Sequence, residues 1–173
     1  MHALDCNIEN LVNKYGDTVY RLAFSYMKSK QDAEDVSQDV FIKLFEYNGK
    51  FENEKHEKLW IMRVTSNICK NKLKLFWRRN ICSIDEVQEH PYYDEYSSEN
   101  LVYKSVISLP AKYSTVIHLF YYEGYKTTQI AEITGQKEST VRSLLHRARE
   151  KLKPILKEMY DCLLYTSDAA DEL

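Results

Sequence analysis

Apolar residues recur along the chain at steps of three and four, and they predict helices throughout. Between residues 8 and 27, Ile8, Leu11, Val12, Tyr15, Val19, Leu22, Ala23 and Tyr26 keep core spacing, as in a helix that buries one side. Ser29 and Asp32 open a second helix, DAEDVSQDVFIKLFEY, with Ala33, Val36, Val40, Phe41 and Leu44 on its inner face. Asn48 to Lys58 is polar and predicts a loop. A long helix follows from about Leu59 to Arg78, with Ile61, Val64, Ile68, Cys69, Leu75 and Phe76 facing inward. Leu101, Val102, Val106 and Ile107 begin a further helical set. Pro110 suits a helix start, and Val116, Ile117, Leu119 and Phe120 pack a helix that ends near Gly124. Glycine (4) and proline (3) are scarce, so an all-α fold is expected.

The most specific local pattern runs from Thr127 to Lys153. A short helix over about Thr128–Thr134 carries Ile130, Ala131 and Ile133 on its inner side. Gly135 follows where a left-handed residue is wanted, a conformation in which glycine has no Cβ to clash. A second helix opens at Glu138 or Ser139, the latter a good capping residue. Val141, Leu144, Leu145, Ala148 and Leu152 form its buried face. Arg142, Ser143, His146, Arg147, Glu150 and Lys151 form the other, flanked by Arg149. A helix packed on one side and basic on the other fits a DNA major groove. The turn glycine, the cap and the arginines favour a helix-turn-helix over an ordinary charged hairpin.

Residues 85–99, DEVQEHPYYDEYSSE, hold six acids and no lysine or arginine. Pro91, the serines and the lack of a helical period mark a linker. Residues 83–99 thus join two small helical modules, 1–82 and 100–161. The linker's acidity explains how a net charge of −2 hides two basic surfaces. With 44% apolar and 29% charged residues, the chain reads as soluble and globular. It has no run of about 18 apolar residues to span a membrane. The start, MHALDCNIEN, lacks the pattern of a signal peptide, so a cytoplasmic protein is expected. Cys6, Cys69, Cys82 and Cys162 lie far apart, predicting neither a metal site nor a disulfide framework. The last residues, CLLYTSDAADEL (162–173), resemble a translated sequencing adapter and are read as a non-native tail.

Two further surfaces carry candidate chemistry. Asp32, Glu34, Asp35 and Asp39 crowd the first two turns of the second helix. Acid there suits the helix dipole; a protein-docking face is the other reading. No His or Cys joins these carboxylates, which disfavours catalysis or metal binding. On the long helix, Trp60, Arg63, Asn67, Lys70, Asn71 and Lys74 fall at i, i+3, i+7, i+10, i+11 and i+14, and share a face. Eight basic residues and one acid lie between Lys55 and Arg79. Cations for phosphate, an aromatic plane for bases and amides for base edges suit a nucleic-acid strand. A surface helix with a half-buried tryptophan fits the same residues. No nucleophile–base pair, metal cluster or phosphate loop is visible, so neither an enzyme nor a cofactor is expected.

Three stretches occur in order and with the proper spacing: DAEDVSQDVFIKLF, LWIMRVTSNICKNKLK and SLPAKYSTVIHLFYYEGYKTTQIAEITGQKESTVRSLLHRAREKL. Over about residues 8–157 the chain resembles bacterial sigma factors, specifically the extracytoplasmic-function group of the sigma-70 family. The resemblance implies a dissociable RNA polymerase subunit that directs promoter recognition. Residues 1–82 would form sigma domain two. Glu34, Asp35, Gln38 and Asp39 lie where such proteins dock on the clamp helices of the polymerase β′ subunit. Trp60, Arg63, Asn67, Lys70, Asn71 and Lys74, with the loop Asn48–Lys58, lie where they open and read the −10 element. Trp60 would be a stacking plane, a wedge at the duplex edge or partly core. Residues 100–161 would form domain four, which touches the β flap, with Thr140, Arg142, Ser143, His146 and Arg147 toward the −35 element. The linker would thread toward the RNA exit path, and an anti-sigma factor is an implied partner. The alternative is a helix-turn-helix regulator that acts alone; the Trp60 stripe argues against it, since a repressor needs no second nucleic-acid surface.

Overall fold

The computed structural model describes residues 2–79 and 98–170, with side chains for 9–78 and 101–162. Every regular element in these residues is helical. The first module contains α1 (His2–Met27), α2 (Lys30–Glu46) and α3 (Glu54–Arg79). The second contains α4 (Ser98–Ser108), α5 (Ala111–Ile117), α6 (Thr127–Thr134) and α7 (Glu138–Ala170), with a π-helical turn, His118–Tyr122, prolonging α5. Most of the expected linker lies outside the described residues, and α4 already starts at its end.

The first helix is the hub, packing on α2, α3 and α5. Tyr15, Val19, Leu22, Ala23 and Tyr26 are buried as their spacing predicts, and Tyr26 Oη meets Ser66 Oγ of α3 at 2.6 Å. Val12 departs from expectation. It is 39% exposed because it borders an open groove between α1 and α2. The side chain of Ile8 lies outside the described residues. Ser29 caps α2, its Oγ accepting the Asp32 N–H at 3.3 Å. Ala33, Val36, Val40 and Leu44 are buried, and Phe41 is half-buried.

Two expectations for α3 need correction. The helix starts at Glu54, not near Leu59, so the expected loop to Lys58 ends at Asn53. Asn53 Oδ1 accepts the His56 N–H at 2.9 Å, and Glu54 and Glu57 stand in the first turn, where acid suits the helix dipole. A polar first turn of this kind is easily read as loop. At the other end, Leu75 and Phe76 are 51% and 56% exposed rather than inward. The buried face of α3, with Ile61, Met62, Ile68 and Cys69, stops nearly two turns earlier, and the helix runs on beyond it.

The buried residues of both modules form one hydrophobic cluster. At the seam, α5 lies on α1 and α6 on α3. Ser25 Oγ lies 3.3 Å from Thr115 Oγ1, and Ser114 Oγ donates to Ser25 O at 2.8 Å. Short hydroxyl side chains let these helices approach closely while satisfying one another. Lys28 follows α1 at φ 58, in the left-handed region, and its Nζ donates to Ser114 Oγ at 2.5 Å. Lys58 of α3 pairs with Glu123 at 3.2 Å. Burial opposes a charge on Glu123, but His118 and Lys58 outweigh it and hold that carboxyl below its usual range.

Candidate nucleic-acid interface

The helix-turn-helix forms where its sequence predicts, except that Ser139 is not its cap: α7 starts at Glu138, and Lys137 O accepts the first helical N–H bonds. Gly135 ends α6 at φ 66 and ψ 29, its N–H on Ala131 O. Ile130 and Ile133 are buried, as are Val141, Leu144, Leu145, Ala148 and Leu152 of α7. Glu138 ties the two helices together: it accepts from Thr127 Oγ1 at 2.7 Å and pairs with Arg142 at 2.6 Å. The Thr127 hydroxyl and the Arg142 guanidinium hold its carboxyl below the usual range. Thr140, Arg142, Ser143, His146 and Arg147 are all exposed along the outer side of α7. Arg142 is engaged by Glu138, which leaves Arg147 the freer guanidinium of the two. Arg149 serves the module itself, donating to Tyr121 Oη at 2.8 Å and lying 5.5 Å over the Phe120 ring.

Along α3, Arg63, Asn67, Asn71 and Lys74 stand exposed on one side. Trp60, half-buried at the head of that side, belongs to an aromatic cluster that periodicity does not reveal. Its ring centre is 4.6 Å from Tyr47 and 5.6 Å from Phe51, and those two rings stack at 4.9 Å. His56 meets Phe51 edge-on at 5.8 Å. The only signal in the sequence is a pair of aromatics bracketing an otherwise polar stretch. Lys70 stands apart from the rest of its stripe: half-buried, it donates from Nζ to Thr134 O at 2.7 Å. That carbonyl closes α6 at the helix's partially negative end. Burial, together with the charges of Lys74 and Arg63, lowers the Lys70 pKa. Cations that repel one another along a helix face make a place where an anion is stabilising.

On α2, Glu34, Asp35 and Gln38 are exposed, while Asp39 pairs with Lys72 of α3 at 3.0 Å. Beside them opens a groove of about 690 Å³, with Tyr20, Phe41, Ile42 and Phe45 as its apolar lining and Glu34 and Gln38 at its lip. Apolar area bordered by acid suits a protein partner better than a polyanion. Among the described residues no group of three His, Cys, Asp or Glu could hold a metal ion, and no helix is long and apolar enough to cross a membrane.

Comparison with known proteins bears on both modules. Residues 11–79 match the family described as Sigma-70 region 2, and residues 100–152 match Sigma-70, region 4. The chain is 32% identical to the ECF RNA polymerase sigma-E factor of Haemophilus influenzae, over 84% of this chain and 87% of that protein. It is 27% identical to the ECF RNA polymerase sigma factor SigE of Mycolicibacterium smegmatis, over 86% of this chain and 61% of that longer protein. The fold matches the sigma factor RpoE of Bartonella quintana, solved with the anti-sigma factor NepR, with a TM-score of 0.70 at 23% identity, covering 87% of this chain and 97% of that one. Helix order, helix-turn-helix and matched regions agree: the chain belongs to the sigma-70 family of RNA polymerase sigma factors, in its extracytoplasmic-function group.

Proposed function

We propose that the chain binds core RNA polymerase and directs it to promoters from the cytoplasm, without catalysis of its own. Glu34, Asp35, Gln38 and Asp39 dock on the β′ clamp helices, and the neighbouring apolar groove enlarges that contact. Arg142, Ser143, His146 and Arg147, with Thr140, read the −35 element, while the second module touches the β flap. Trp60, Arg63, Asn67, Lys70, Asn71 and Lys74 open and hold the −10 element. Residues 1–82 act as one unit and 100–161 as the other. An anti-sigma factor is the proposed regulator, in keeping with the NepR complex of the RpoE relative.

The observation that carries this reading is the aromatic head of the α3 stripe. Taking a base out of the stack costs a few kcal/mol, and an aromatic face returns about 1–3 kcal/mol per base. Trp60, braced by Tyr47 and Phe51, offers a ring whose orientation is fixed before DNA arrives. A protein that only binds duplex DNA has no use for such a plane beside its helix-turn-helix. In the test, Trp60→Ala is assembled with core polymerase and promoter DNA, and single-stranded thymines are mapped with permanganate. The variant binds core normally and leaves the −10 thymines unreactive. Normal reactivity would assign Trp60 to packing alone, and failure of the wild-type chain to bind core would leave a regulator that acts by itself.

A further inference from the structure

Trp77 is 70% exposed, more than any other large apolar side chain among the described residues. It sits in the last turns of α3, beyond the part that the body covers. Its position on the helix is not arbitrary. Arg63, Asn67, Lys70, Lys74 and Trp77 follow one another at steps of four, three, four and three, which draws one line along α3. Arg78, also exposed, follows Lys74 at a step of four. Trp77 therefore continues the stripe that Trp60 begins, with Lys74 three residues before it and Arg78 next in the chain, both exposed. A purely apolar partner would bury those two cations without a counter-charge, which is costly. A polyanion that also presents flat rings meets all three side chains at once.

We propose that Trp77 is the far end of the DNA surface of α3, its ring against a base or sugar of the promoter strand whose phosphates Lys74 and Arg78 hold. The inference rests on reading α3 as the −10 surface. Trp60 and Trp77 are 17 residues apart, about 26 Å along the helix at 1.5 Å per residue. With one phosphate per ~3.4 Å of each strand, that spans at most about eight nucleotides.

The test places the photo-cross-linking residue p-benzoylphenylalanine at position 77 and, separately, at position 60 of the full chain, in holoenzyme on promoter DNA. Both positions cross-link DNA, at sites separated by up to about eight nucleotides. Trp77→Ala lowers promoter affinity by about fivefold to a hundredfold, Trp77→Phe restores most of it, and core binding and melting temperature stay unchanged in both. Position 77 cross-linking to a polymerase subunit, or to nothing, while position 60 reaches DNA overturns the proposal and leaves the −10 reading standing. Failure of position 60 as well overturns both.

Discussion

Lys28 makes the stability of the seam between the modules depend on pH. Its ammonium is half-buried against α5, where its hydrogen-bond partner is the Ser114 hydroxyl rather than a carboxylate. Burial alone pulls its pKa down from the ordinary 10.5 to about 7. Above that value the folded protein has shed a proton that the unfolded chain keeps, so folding becomes more favourable as pH rises. The gain is lost as pH falls toward 7, and below it both states hold the proton. Between about pH 7 and about 8.5 the difference amounts to at most about 1.6 kcal/mol, and water reaching the half-exposed amine lowers this toward about 1 kcal/mol. In a chain of this size that is a rise of about 2–4 °C in melting temperature. Cys69, whose thiol is pushed up to about 12 by burial, acts in the opposite sense once unfolded thiolate forms, so the wild type must be compared with a variant. Lys28→Met keeps an unbranched side chain of similar length and removes the titration together with the bond to Ser114, so the slopes with pH, not the absolute stabilities, are compared. Denaturant unfolding of both proteins across this range measures the two slopes. Parallel slopes would refute the argument, showing that Lys28 stays charged in the fold.

Two more outcomes follow from the exposed faces. Asp35→Arg weakens binding to core polymerase in a pull-down or titration, while its melting temperature moves by less than about 0.5 kcal/mol equivalent because the side chain is exposed; unchanged affinity leaves Asp35 only its helix-dipole role. Arg147→Ala relaxes preference at one −35 base position by about 1–3 kcal/mol, as binding to a panel of substituted promoters reads; a uniform loss over the panel means a phosphate contact instead.

What could be read from the sequence was whatever repeats or punctuates locally. Gly135, Ser29 and the buried stripe of α7 each have a short-range cause, and each stands as expected. The errors fall where tertiary context overrides local pattern. Leu75 and Phe76 keep helical core spacing, yet both stand about half exposed. Val12 has the same spacing and borders a groove. The first turn of α3 is polar, and its cap, Asn53, is legible only once the helix behind it is known. The aromatic cluster of Tyr47, Phe51 and Trp60 crosses a loop, so no period announces it. The seam was the least visible of all. Ser25, Ser114 and Thr115 are ordinary small polar residues whose pairing needs two helices far apart in the chain, and Lys70 sits in register with a stripe yet bonds a carbonyl of the other module.

That last bond also concerns the time at which the protein is made. Lys70 and Thr134 are 64 residues apart, and a ribosome adding about 5–20 residues per second needs about 3–13 s to cover that interval. Until then the faces of α1 and α3 that meet the second module have nothing against them. The first module thus emerges with an unfinished surface, open to chaperones and to neighbouring nascent chains, and the order of synthesis makes α5 and α6 the segments that end this exposure.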